Sequence, residues 1–158
     1  MEGRCRPSRS PLDAFGVVEA GAALGGGNGI FDSWETVHFG NANPGSNSPD
    51  GDPDGDGIVN LMEYALDTDP LMATPSPLTH DLESVGADQY FRLTVPKNPA
   101  ATNITYSVET GGTLTDWSVA GTVVESAPGS LLLVVRDGVK VAAAAHRFIR
   151  LKVTVTPP

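Results

Sequence analysis

From residue 88 onward the chain alternates apolar and polar residues with a period of two, and this limits the fold more than any other feature. Phe91, Leu93 and Val95 alternate with Tyr90, Arg92 and Thr94, and Ile104, Tyr106 and Val108 alternate with Thr105, Ser107 and Glu109. Successive side chains of a strand point to opposite faces, so each run predicts a strand buried on one side. Trp117–Val124 and Leu131–Arg136 are two further apolar runs, and Ile149, Leu151, Val153 and Val155 alternate with Arg150, Lys152, Thr154 and Thr156. Gly111-Gly112, Ala127-Pro128-Gly129 and Asp137-Gly138 bound these runs with turn residues. Five short strands so connected predict a mainly β chain, a small antiparallel β-sandwich, completed by another strand near Leu78–Leu82. The 18 glycines and 13 prolines in 158 residues favour the same class, since they supply turns and shorten helices.

Upstream the period changes. Residues 1–29 end in a glycine- and alanine-rich stretch whose backbone entropy burial cannot offset, which predicts a flexible lead-in. Ile30 to Phe39 spaces its apolar residues for one helical face, with Asp32 or Ser33 as N-cap. Asn60 to Leu66 fits two helical turns, pairing Leu61 with Ala65 and Met62 with Leu66. That helix should stop near Asp67-Thr68-Asp69-Pro70, because proline cannot extend the hydrogen-bond ladder. The resulting division is 1–29 lead-in, 30–74 helix plus loop segment, and 75–158 β-sandwich, with Pro75-Ser76-Pro77 as linker.

Between the two helices lies Asp52-Pro-Asp54-Gly-Asp56-Gly57-Ile58-Val-Asn60-Leu-Met-Glu63, which meets the spacing D-x-[DN]-x-[DN]-G-x₅-E in full. Loops of this kind bind Ca²⁺ through side-chain oxygens at positions 1, 3 and 5, a backbone carbonyl at 7, often a water at 9, and a bidentate glutamate at 12. The candidate ligands are therefore Asp52, Asp54, Asp56, Ile58, Asn60 and Glu63. Gly57 falls at position 6, where the chain turns sharply. Asp and Gly also favour ordinary surface turns, but such turns need neither the glycine at 6 nor the glutamate at 12. Four converging carboxylates repel by on the order of 1 kcal/mol per close pair even in water, and a divalent cation relieves that repulsion. Hard oxygen ligands on a flexible loop suit Ca²⁺ better than Zn²⁺ or Mg²⁺.

The net charge of −9 is concentrated: residues 10–91 carry fourteen carboxylates and no Lys or Arg. Phosphate recognition requires clustered cations, so no nucleic-acid partner is expected. No apolar run approaches the roughly 20 residues of a membrane-spanning helix. Cys5 is the sole cysteine, which excludes an internal disulfide and a CxxC metal site. Arg4, Arg6 and Arg9 precede an apolar stretch from Ala14 to Leu24, but Glu19, Gly16 and Gly21 interrupt it, so it makes no convincing signal peptide. A fragment of a larger exported protein is the preferred reading.

No enzyme is expected. His38, His80 and His146 lack partners at metal-ligand spacing, and the chain has no G-x-S-x-G, P-loop or HExxH pattern. Glu109 and Asp116 show no sign of an activated acid pair. Asn103-Ile104-Thr105 matches a glycosylation triplet, a pattern common by chance. Tyr90, Tyr106 and Trp117 would stack on a sugar if they lined one exposed face; core packing is the alternative, favoured because Tyr106 falls on the apolar side of its run.

Asp52 to Pro70 resembles the aspartate-rich calcium loops of thrombospondin type 3 repeats and dockerins, which are built with an outgoing helix only. Those modules carry loops in tandem, whereas Asp67-Thr68-Asp69-Pro70 lacks the following glycine and glutamate, so cohesin docking does not carry over. Phe31 to Val155 as a whole resembles C-terminal regions of large exported proteins of environmental bacteria, through Trp34, His38-Phe39-Gly40, Glu63-Tyr64-Ala65-Leu66, Val108-Glu109, Leu114, Asp116-Trp117 and Arg147-Phe148-Ile149-Arg150-Leu151. The resemblance implies an extracellular or cell-surface accessory module with a calcium hinge and no attached activity. The expected function is thus a calcium-stabilised structural module, the alternative a β-sandwich that binds a glycan or a surface protein.

Overall fold

The computed structural model describes residues 15–19, 30–41 and 48–156, with side chains described from Phe31 onward. Its elements in order are strand β1 (Phe15–Glu19), helix α1 (Ile30–Phe39), helix α2 (Asn60–Leu66), and strands β2 (Thr79–Val85), β3 (Asp88–Pro96), β4 (Ile104–Gly111), β5 (Thr122–Val124), β6 (Leu132–Asp137) and β7 (Phe148–Val155). The protein is mainly β. One sheet has the order β2-β3-β6-β5 and is antiparallel throughout; the other has the order β1-β7-β4, in which β4 and β7 are antiparallel.

The alternation sets the two faces. Leu93 and Val95 of β3, Val135 of β6, Val108 of β4 and Ile149, Leu151 and Val153 of β7 form one core, as expected when each sheet presents a single apolar face. Arg92, Arg136, Glu109 and Arg150 take the outer faces, where carboxylates meet the arginines. Arg92 Nε bonds Asp81 Oδ1 at 2.8 Å and its guanidinium also reaches Glu83; Arg150 Nε bonds Glu109 Oε2 at 2.8 Å. The strand expected near Leu78–Leu82 is β2.

Three expectations are revised. Within the 1–29 lead-in, Phe15–Glu19 forms β1, running parallel to β7 from Phe15 opposite Arg150 to Glu19 opposite Thr154. Its Phe-Gly-Val-Val-Glu sequence is rich in strand-favouring residues and places β7 in the middle of its sheet. Cys5 and the rest of the lead-in lie outside the described residues. Asp32 and Ser33 are not caps but sit inside α1, where Asp32 complements the positive end of the helix. The run Trp117–Val124 is a strand only from Thr122. Ser118 pairs with Thr110 of β4 through bonds of 2.9 and 3.1 Å, the chain turns at Gly121 (φ +86°), and Thr122–Val124 joins β6 of the other sheet. One apolar run is thus divided between two sheets.

The α2 helix belongs to the same core as the strands: Met62, Ala65 and Leu66 pack with the sheet residues, while Leu61 and Tyr64 pack with Phe31 of α1, Ala101 and Val155. Residues of segments 30–74 and 75–158 thus meet in both apolar clusters. Sandwich residues also bind the last carbonyls of α2. Asn98 Nδ2 donates to Tyr64 O at 2.8 Å, and Asn98 N and Tyr106 Oη donate to Ala65 O at 3.0 and 2.6 Å. Burial pushes the Tyr106 hydroxyl up to about 12, which keeps it a donor at physiological pH. Tyr106→Phe, which removes one donor while Asn98 N remains, is expected to cost about 1–2 kcal/mol in a urea unfolding curve. No measurable change would show that the Tyr106 hydroxyl adds nothing to the hold of Asn98 and packing on α2.

Candidate metal centre

The acidic loop is shaped by its own backbone amides. Asp52 accepts from Gly55 N at 2.9 Å through Oδ1 and from Gly57 N at 3.0 Å through Oδ2. Asp54 Oδ1 accepts from Asp56 N at 3.1 Å, and Asp56 Oδ1 from Ile58 N at 2.8 Å. Each aspartate thereby caps a turn in the way short carboxylates favour. Gly57 has φ +91°, a left-handed geometry that a side chain strains and that explains the glycine at position 6. One carboxylate oxygen from each of Asp52, Asp54 and Asp56 lies within 4.8 Å of the others.

Glu63, on α2, feels the charges of these three aspartates but is not among the residues whose oxygens come within 4.8 Å of one another. The residue is fully buried, Oε1 accepts from Thr68 Oγ1 at 3.3 Å, and Oε2 is buried without a hydrogen-bond partner. Asp54 Oδ2 is likewise buried and unpartnered. Burial is the main cause that pushes the Glu63 carboxyl up to about 7, with the charges of Asp54, Asp56 and Asp52 adding to the rise. Two buried, unpaired carboxylate oxygens beside two further acidic groups make an arrangement that a hard cation would satisfy. The donor set consists of oxygens only.

Not every candidate ligand has the same setting. Asn60 is fully buried, and its Nδ2 donates to Ser48 O at 2.8 Å, which ties the approach to the loop onto the start of α2. Ile58 packs its side chain on the core. Loop carbonyls also serve the first amides of α2: Asn60 N donates to Gly51 O at 2.8 Å and Leu61 N to Pro49 O at 3.0 Å. The end of α2 at Asp67 falls where the sequence placed it, but the contacts that the following segment makes with the loop were not anticipated. Asp67, at φ 60°, ends the helix in the left-handed region, Thr68 bonds Glu63, and Thr74 N donates to Asp56 Oδ2 at 3.0 Å. Only the pairing of threonines with an Asp-x-Asp-Pro stop pointed to it.

The aromatic residues weighed for sugar stacking lie in three places. Tyr90, on the outer face of the four-stranded sheet, is covered by Arg136 at 4.4 Å from its ring centroid. Trp117 lies against Arg150 at 4.3 Å on the outer face of the other sheet, and Tyr106 packs on the core. Among the histidines, His38 Nδ1 is 3.5 Å from Asp69 Oδ1 and its ring packs on Trp34, while His80 and His146 are exposed. Glu109 pairs with Arg150, and Asp116 closes the turn at Gly112 and Thr113. Comparison of the chain with protein-family models, with curated proteins and with solved structures returns no match.

Proposed function

We propose that Asp52–Glu63 binds Ca²⁺ and that the chain is a calcium-stabilised structural or accessory module of a secreted or cell-surface bacterial protein. The observation that carries the reading is Glu63: a carboxylate fully buried, with one oxygen unpartnered, which feels the charges of three clustered aspartates. Once ionised, a carboxylate buried in that position is costly unless a cation pairs with it. Asp52, Asp54, Asp56 and Glu63 would hold the ion by side chain, Ile58 by its carbonyl, and Asn60 through a water. The ion would neutralise the loop and fix α2, whose far end is already bonded to Asn98 and Tyr106.

The extracellular setting is supported by the likeness of the loop to thrombospondin type 3 and dockerin calcium loops and by the affinity such modules have, about 10⁻⁴ to 10⁻³ M, matched to external calcium. At calcium ten times the dissociation constant, linkage adds about 1.4 kcal/mol of stability. A melting temperature that rises with calcium and falls with EDTA, together with a calorimetric binding isotherm, is the expected result. Identical melts in both buffers and no heat of binding would reject the proposal.

A further inference from the structure

The segment after α2 returns to the acidic loop twice, through Thr68 Oγ1 on Glu63 Oε1 at 3.3 Å and through Thr74 N on Asp56 Oδ2 at 3.0 Å. Its second contact leaves the Thr74 hydroxyl beside Asp56, buried and without a hydrogen-bond partner. A hydroxyl buried in this way calls for an ion or an ordered water. The Thr74 amide is bonded to Asp56, a candidate ligand, which brings the hydroxyl of the same residue into the neighbourhood of the loop.

We propose that Thr74 is part of the cation site, its hydroxyl binding a water molecule carried by the ion. The inference rests on the calcium reading above. Thr68 acts in a complementary way, since it occupies Oε1 of Glu63 and leaves the buried Oε2 without a protein partner. Together the two threonines make the chain beyond position 12 contribute to binding, so that affinity is not set by the twelve-residue loop alone. Residues that orient ligands and their waters typically change metal affinity about 10- to 100-fold.

The test uses the full chain with terbium, a luminescent oxygen-seeking ion of calcium-like size, and with calcium itself. Thr74→Val retains the amide and the shape but deletes the hydroxyl. It is expected to weaken binding of both ions about 10-fold, and to remove one ion-bound water, counted from terbium luminescence lifetimes in H₂O and D₂O. Thr74→Ser should restore both. In metal-stripped buffer Thr74→Val should melt no lower than the wild type, since no hydrogen bond is lost. Wild-type affinity and water count in Thr74→Val, or weaker binding with an unchanged water count, would overturn the proposal. Failure of the wild type to bind either ion would overturn the calcium reading itself, and this inference with it.

Discussion

Glu63→Gln is expected to melt higher than the wild-type protein once divalent ions are stripped, and to lose most of its response to calcium. Both effects follow from one carboxyl group. Its pKa is raised from 4.5 to about 7 in the folded chain, mainly by burial and then by Asp54, Asp56 and Asp52. The folded protein therefore keeps a proton that the unfolded chain has released. Stability from the protonated group is fully present below about pH 4.5 and is lost as pH rises through about 7. At about 1.4 kcal/mol per pH unit, the cost of the ionised group is on the order of 3 kcal/mol above that window.

Glutamine keeps the shape without the charge, so the metal-free variant should escape that cost. It should bind calcium at least about 100-fold more weakly, above the effect of residues that merely orient a ligand. Melts of metal-stripped protein between pH 4.5 and 8 check the first part, calorimetric titration the second. Glu35, raised to about 7 by burial and by Asp32, contributes a slope of the same sign that the variant should retain. A variant less stable than the wild type in stripped buffer at pH 8, or one with unaltered calcium binding, would contradict this account.

Asp137→Ala is expected to destabilise the fold by about 3–5 kcal/mol, the range for removing one partner of a buried ion pair. Asp137 is 1% exposed and takes Arg147 through two parallel bonds, Nε to Oδ2 at 2.7 Å and Nη2 to Oδ1 at 2.8 Å. It also accepts from Val139 N at 3.0 Å. Asp137, first among the causes, holds the Arg147 guanidinium still more firmly protonated than usual. Truncation strands that charge at the mouth of the sandwich, where β6 ends and β7 is about to begin. Asp137→Asn, which retains an acceptor, should cost less. The solvated pair of Arg92 with Asp81 offers a contrast: Asp81→Ala should cost about 1 kcal/mol or less. Urea unfolding of the three variants measures these differences, and equal costs for Asp137→Ala and Asp81→Ala would refute the assignment.

The β-sandwich was legible because its signal is local and periodic: Leu93, Val95, Leu151 and Val153 stand where a period of two puts them, each on the buried face of its sheet. The acidic loop was legible for a similar reason, since calcium-loop spacing lies within twelve residues. What escaped depends on contacts that local pattern does not encode. Asp137–Arg147 ties the end of β6 to the residue before β7, and nothing in Asp137-Gly138 separates a buried ion-pair partner from an ordinary turn residue. The Phe15–Glu19 strand is held by a partner more than 130 positions away, and its composition taken alone reads as a broken apolar stretch. Trp117–Val124 misled because apolar content does not show that a run changes sheets at Gly121. Thr74 was invisible until the fold brought it to Asp56.

The parallel seat of β1 against β7 has a mechanical consequence. Tension applied to the chain at β1 from its N-terminal side and at β7 from its C-terminal side pulls two codirectional neighbours in opposite senses. The five residue pairs from Phe15–Arg150 to Glu19–Thr154 are then loaded together, in shear, rather than one after another as in an unzipping hairpin. Under such tension the backbone bonds of that contact would have to break together, so the β1–β7 seam resists parting more than an antiparallel edge pulled open from one end.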